Sequence, residues 1–278
     1  SEAWDRMDED RRLVPPEMSL VCASHNGQPE HVAAVRRLLD RFSLSEDVLS
    51  CGPQWSGDQP TLLRQARDLE SPAPVHNNCS GKHAGMMVLA QCLGHDPAGY
   101  AALGHPVQQA ILGTLEAMVG LDLIANPHGI DGCGAPALSA PLGNWARGFA
   151  LFAGGGELPA GRLAACARIR HGIAAAPRMI AGDRRLCTAL AEGFGDRITA
   201  KTGAEGVYGA AFHEFGLGVM VKARDGNSRA AGAAIAALIH ALGYELGDPV
   251  RALSLAKLSN WAGQPVGDIR VGAPLMTG

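Results

Sequence analysis

Over the first two-thirds of the chain, apolar residues recur mainly at helical spacing. In HVAAVRRLLDRF, residues 31–42, they form one amphipathic face, and Pro29 and Glu30 suit the first turn. Further helices are predicted in TLLRQARDL from residue 61, from Gly81 to Gln91, and in PVQQAILGTLEAMVG after His105. Two more follow in ELPAGRLAACARIRHGIAAAP and DRRLCTALAEGFG. Met18–Ala23 reads as a short buried strand or helix, and Asn126–Ala137, dense in glycine and proline, as an irregular loop.

From Asp196 the period changes. RITAKTG, GVYGAAF and GLGVMVKA read as short strands, RDG as a turn, SRAAGAAIAALIHALG as a closing helix and GQPVGDIRVG as an edge strand. Strands joined by such short turns are antiparallel, because a parallel crossover needs a dozen or more residues. The fold class expected is α+β: an antiparallel sheet flanked by helices, with a helical insert. One domain over 1–278 is expected, helical over about 60–192 and sheet-forming over 193–278.

Composition narrows the function. The 278 residues are 47% hydrophobic and 18% charged, and 24 basic against 27 acidic residues leave a net charge of -3. That balance excludes a partner held by bulk positive charge, so neither nucleic acid nor an anionic membrane surface is expected. The seven cysteines form no short-spaced framework, which favours reduced or metal-bound thiols. No secretory segment is evident and the apolar run near residue 230 is too short to span a bilayer, so a cytoplasmic protein is expected.

The densest chemistry lies in HNNCSGKHAG, residues 76–85. It lacks the long glycine loop of a Walker A motif, and Lys82 is not followed by serine or threonine, so it is no phosphate cradle. Ser80 and Asn78 are read as helix caps rather than nucleophiles. Cys79, Lys82 and His83 fall three and four apart and share a helix face, and a zinc-like ion linking Cys79 to Cys133 is one reading of the two thiol loops. Farther on, Lys201-Thr202-Gly203 is the triplet that serine β-lactamases carry on a sheet strand. The S-x-x-K at Ser254–Lys257 lies downstream of it, in the wrong order, and is read as surface. The plausible upstream hydroxyl is Ser24, beside a lysine of suppressed pKa.

Taken in order, CASHNGQPEH (22–31), NNCSGKHAGM (77–86), DGCGAP (131–136), CTAL (187–190), KTGAEGV (201–207) and VKARDGNSRA (221–230) resemble the Rhizobium-type L-asparaginase II family across nearly the whole chain. The resemblance implies hydrolysis of L-asparagine to L-aspartate and ammonia on a serine β-lactamase/glutaminase-like fold, as a homodimer. It implies Ser24 and Lys201 as catalytic residues, and His25, Asp131 and Gly132 in substrate binding, with Asp131 holding the amino group. It also implies Zn2+ on Cys79, Lys82 and Cys133. Oxyanion donors are expected among backbone amides near the R-S-x-x-K block of the family pattern and near the Lys201 strand. The family pattern includes an R-S-x-x-K block, which the resemblance implies as source of a second serine–lysine pair and of the principal nucleophile; no equivalent stands before Cys22, and the expectation is that this block lies outside these 278 residues. The alternatives are a related serine amidohydrolase (glutaminase or β-lactamase-like) and a catalytically impaired amino-acid-binding protein.

Overall fold

A computed structural model of the chain describes residues 3, 7–68 and 71–272. Helix α1 (Pro15–Val21) starts on a proline, and its Glu17 carboxylate accepts the Val14 N–H at 3.0 Å. Helix α2 (Pro29–Arg41) buries Val32, Val35, Leu38 and Leu39 on one face, and its last residue, Arg41, pairs with Glu17 at 2.6 Å. After α3 (Gln59–Asp68) comes α4 (Ser80–Cys92), which is buried on nearly all sides. Leu20, Val35, Leu38, Val75, Met87 and Tyr100 form the core between these helices.

The approach of α1 to α4 is set by two glycines. A Cβ at Gly81 would stand 2.6 Å from the Leu20 carbonyl oxygen, and one at Gly85 would stand 2.8 Å from the Val21 side chain. Only hydrogen at these positions lets the helices come that close, and the end of α1 is thereby delivered beside the start of α4.

Helix α5 (Pro106–Val119) leads to a hairpin of β1 (His128–Ile130) and β2 (Pro136–Leu138). The glycine- and proline-rich segment is therefore not wholly irregular: the Asp131–Gly134 turn closes two three-residue strands. Helix α6 (Leu142–Phe152), which the apolar pattern did not reveal, precedes α7 (Ala160–Ala175) and α8 (Leu186–Phe194).

Strands β3 (Ile198–Thr202), β4 (Val207–Phe212) and β5 (Leu217–Lys222) form an antiparallel meander, pairing Lys201 with Gly209 and Ala211 with Gly218. Its faces divide by the period-2 rule. Ile198, Ala200, Ala210 and Phe212 join Ile235 and Ile239 of α9 (Ser228–Ala241) in a second core. The opposite face, which carries Gly209 and Gly218, takes α6: Phe149 fills the space beside Gly209, and the α6 backbone lies against Gly218.

After α10 (Asp248–Ser254), the segment expected to be an edge strand pairs elsewhere. Strand β7 (Pro265–Asp268) joins β6 (Lys257–Ser259) in a separate hairpin. Proline and glycine in β7 and its exposure suit an edge hairpin better than a sheet seat. The downstream S-x-x-K is divided between α10 and β6: Ser254 is buried with its hydroxyl donating to Val250 O at 2.6 Å, and Lys257 is exposed. Among the described residues no helix is long and apolar enough to cross a membrane. The fold is α+β with small antiparallel sheets, as the sequence pattern predicts.

A Cβ at Gly218 would overlap the Ala146 carbonyl and the Ala150 amide, both backbone groups that cannot rotate away. Gly218→Ala is expected to destabilise the fold by about 3 kcal/mol, read as a lower urea midpoint. Gly113→Ala, at an exposed position of α5 with nothing within 4 Å of the new methyl, should stabilise by up to about 1 kcal/mol. Equal effects at the two sites would refute the backbone contact.

Candidate active site

Between α1 and α2 the chain runs without regular structure, yet its backbone is held on both sides. Ser24 N donates to Ile180 O at 3.2 Å and Asn26 N to Ala181 O at 2.8 Å, while His25 N donates to Asn78 O at 2.9 Å. The alternation turns successive residues to opposite sides. Ser24 is presented to a cleft of about 720 Å³ whose walls also carry Cys79, Lys82, Asp131, Cys133 and Lys201. His25 points the other way.

Lys201, on β3, donates to Ser24 Oγ at 2.8 Å and to Thr202 O at 2.6 Å. The strand is pinned there, because Thr202 N donates to Cys187 Sγ at 3.3 Å and that sulfur lies 3.1 Å from the Tyr208 hydroxyl. Behind Lys201 an apolar groove of about 410 Å³ is lined by Met118, Trp145, Phe149 and Ile173. Burial lowers the amine's pKa, and the Arg185 charge lowers it further against an opposing effect of Cys187. Cys22 offers no competing nucleophile: burial pushes its thiol up to about 11, although Lys201 pulls the other way.

The second cluster joins the start of α4 to the β1–β2 turn. Lys82 Nζ lies 3.5 Å from Cys133 Sγ and 4.0 Å from Asp131 Oδ2. The pKa of Cys133 is drawn far down, chiefly by a hydrogen bond from Cys79, whose own pKa rises through the same bond and through burial. Lys82 is raised, because these sulfurs outweigh the desolvation that alone would lower it. Asp131 Oδ1 accepts Gly132 N at 2.7 Å, which tightens the turn, and both residues line the cleft.

Two thiol sulfurs and an amine converging, one sulfur with its pKa drawn down by its neighbours, are a donor set that suits a borderline-soft ion. Among the described residues no three His, Cys, Asp or Glu side chains cluster to hold a metal, so a metal here depends on the neutral amine of Lys82.

Other expected residues fall elsewhere. His25 is fully buried and out of the cleft, 4.8 Å from the parallel ring of His31. Its Nδ1 accepts Gly27 N at 3.1 Å, which leaves Nε2–H to donate to Ser80 Oγ at 3.1 Å. Ser80 passes its own proton to Val75 O at 2.8 Å, so neither it nor Asn78 caps α4; Asn77 Oδ1 instead accepts Cys79 N at 2.8 Å. His83 is fully buried, its Nδ1 accepting the Tyr100 hydroxyl at 2.6 Å and its ring beside Cys133.

The amides of Thr202 and Gly203 are not open oxyanion donors. The first is spent on Cys187, and the second donates to Val207 O at 2.8 Å. The cleft does contain polar groups that the sequence reading passed over, namely Arg185 and the side-chain amide of Asn78. The N-N-C-S and D-R-R-L-C strings were read for caps and helix starts, and nothing in their spacing shows that a side chain turns into a cleft formed by distant segments.

A search of curated proteins found no match. The family model described as L-asparaginase II matches residues 5–271, nearly the whole chain, and with the α+β fold and the cleft just described this chain belongs to the L-asparaginase II family, whose activity is that of an asparaginase-type amidohydrolase.

Proposed function

We propose that the protein hydrolyses the side-chain amide of L-asparagine to L-aspartate and ammonia by a serine–lysine mechanism, with Ser24 and Lys201 as the proton-transfer pair. The observation that carries this reading is the 2.8 Å contact between Lys201 Nζ and Ser24 Oγ, in surroundings that lower the lysine's pKa. A neutral amine accepts a hydroxyl proton, which an ammonium cannot do. A serine oxygen activated through this pair attacks the amide carbon and opens the carbonyl to a tetrahedral oxyanion. Collapse of that intermediate expels ammonia, whose nitrogen takes the proton back from the lysine. Water then enters by the same base and hydrolyses the acyl-enzyme.

Asp131 is the cleft's carboxylate and in this reading takes the substrate ammonium group. Asn78 supplies a neutral donor to the amide oxygen. Cys79, Lys82 and Cys133 would hold Zn2+, which when bound stabilises both sulfurs as thiolates and fixes the two loops that carry Asp131 and Asn78. Lys82 must lose its proton to serve as a ligand, so binding releases a proton and weakens as pH falls.

Ammonia release from L-asparagine and L-glutamine by the full-length protein tests the activity directly; the two differ by one methylene, worth about 1–3 kcal/mol in a fitted pocket. No release from either would overturn the reading.

Lys201→Ala should lower kcat by about a hundredfold to ten-thousandfold with little change in melting temperature. Turnover near wild type would remove Lys201 from the mechanism.

The base form of Lys201 lies above its pKa, so kcat/KM should rise with pH, with an apparent pKa below the ordinary lysine value of 10.5. Lys201→Arg, which cannot deprotonate in this range, should abolish that limb; a limb that persists would assign it to another group.

For the metal, elemental analysis should find about one zinc per chain, and chelation should lower the melting temperature. Metal-free protein with unchanged melting on chelation would dismiss the site.

A further inference from the structure

The cleft has three cationic side chains, and two are occupied. Lys82 lies 3.5 Å from Cys133 Sγ and 4.0 Å from Asp131 Oδ2, and Lys201 donates to Ser24 and Thr202. Arg185 differs. Its Nη1 donates to Asn26 Oδ1 at 2.6 Å, a neutral oxygen, and no carboxylate among the described residues pairs with it. Its neighbours show what is usual here: Arg184 pairs with Asp58, and Arg178 pairs with Glu30 and Asp183, both at 2.9 Å.

The contact with Asn26 also fixes where the guanidinium stands. Asn26 Nδ2 donates to Asp183 O at 3.0 Å, so its Oδ1 is turned toward Arg185 and one arm of the fork is anchored. Ser24 and Asn26 send their N–H groups to Ile180 O and Ala181 O on the same side, as alternate residues of an extended segment do. Such residues share a face at about 6–7 Å spacing. Arg185 lines the same cleft as Ser24. It is also near enough to Lys201 for its charge to oppose protonation there. Arg185 is the N-cap of α8, whose positive end adds to the same sign of field.

A guanidinium with one anchored arm and, among the described residues, no other partner for its remaining donors matches a carboxylate bidentately. We propose that Arg185 binds the α-carboxylate of the amino-acid substrate and so restricts the cleft to amides that carry a free α-carboxylate. The proposal rests on the amino-acid amide reading above and adds to it the group that recognises the end remote from the reacting amide.

Calorimetric titration of the full-length protein separates the two. The ligands are L-aspartate and its α-amide, which keeps the amino group and side-chain carboxylate but has no α-carboxylate. Wild type should bind L-aspartate about 30-fold more tightly than the α-amide, and Arg185→Gln should erase that preference by weakening L-aspartate alone about 30-fold. The same variant should raise KM for L-asparagine more than it lowers kcat. Arg185→Lys, which keeps the charge without the fork, should lie between the two and decides the matter if the Gln variant does not fold. If Arg185→Gln binds L-aspartate as wild type does, or weakens both ligands equally, the α-carboxylate assignment is overturned. Wild type that releases ammonia from L-asparagine while failing this comparison would refute Arg185 alone. Wild type that releases none refutes the proposed activity instead.

Discussion

The site depends on the clamping of residues 23–28, a segment that belongs to neither helix nor sheet. Its backbone donates alternately to the 180–181 carbonyls and to Asn78 O. Its own carbonyls are met by side chains, the Asn26 oxygen by Ser56 Oγ and the Gly27 oxygen by Gln65 Nε2 at 3.4 Å. Gln28 closes the lattice, giving Nε2–H to Asp183 Oδ2 at 3.0 Å and accepting Asp183 N at 2.9 Å. Buried backbone groups without partners each cost a hydrogen bond's worth of desolvation. A cluster of buried polar side chains therefore does here what sheet neighbours do elsewhere, and it specifies one path for the chain. Register matters because a shift of one residue would turn His25 to the cleft and Ser24 to the interior.

Two close approaches bring other parts of the chain to that segment. Gly81 and Gly85 let α1 seat on α4, so the residues after Val21 emerge beside Cys79 and Lys82. Gly209 and Gly218 let α6 lie on the sheet, which fixes the end of β3 where Lys201 stands. Small residues are abundant in this sequence, and at these four positions they have a geometric use. They leave little room for adjustment at these contacts.

Much of this was legible in the sequence where the signal is local. Helices α2, α4, α5, α7, α8 and α9 and strands β3–β5 follow from apolar period and turn chemistry. The juxtaposition of Ser24 with Lys201, 177 residues apart, came from ordered motif blocks rather than from any spacing. Helix α6 has Pro141 at its entry and Gly143 and Gly148 within it, which weaken its local helical signal; packing against β5 decides its structure. The hairpin at 128–138 hid in a glycine-rich string for a similar reason: three-residue strands are too short to show alternation. His25 was expected in substrate binding from the family resemblance, but the backbone there sends neighbours to opposite faces. Arg185 gave no signal at all, since an arginine at a helix start is ordinary until its acidic neighbours are seen to be committed elsewhere.

The placement of Lys201 at the boundary of two environments explains how an amine can serve as a base in so polar a cleft. On one side lies the apolar groove under Trp145 and Phe149, where a cation is poorly solvated; on the other lie Ser24 and the Thr202 carbonyl, which hold the nitrogen in place. Arg185 acts on the same amine through space, disfavouring its charge. Negative charge on Cys133 and Asp131 would act in the opposite sense were they adjacent, but both lie with Lys82, whose pKa they raise against the desolvation that lowers it. The two lysines of the cleft are thus tuned apart by their neighbours: one is kept cationic by sulfur, the other is drawn toward neutrality by apolar surface and a guanidinium. Exchanging those surroundings would exchange the chemistry of the two amines, because the residue type is the same at both positions and only its environment differs.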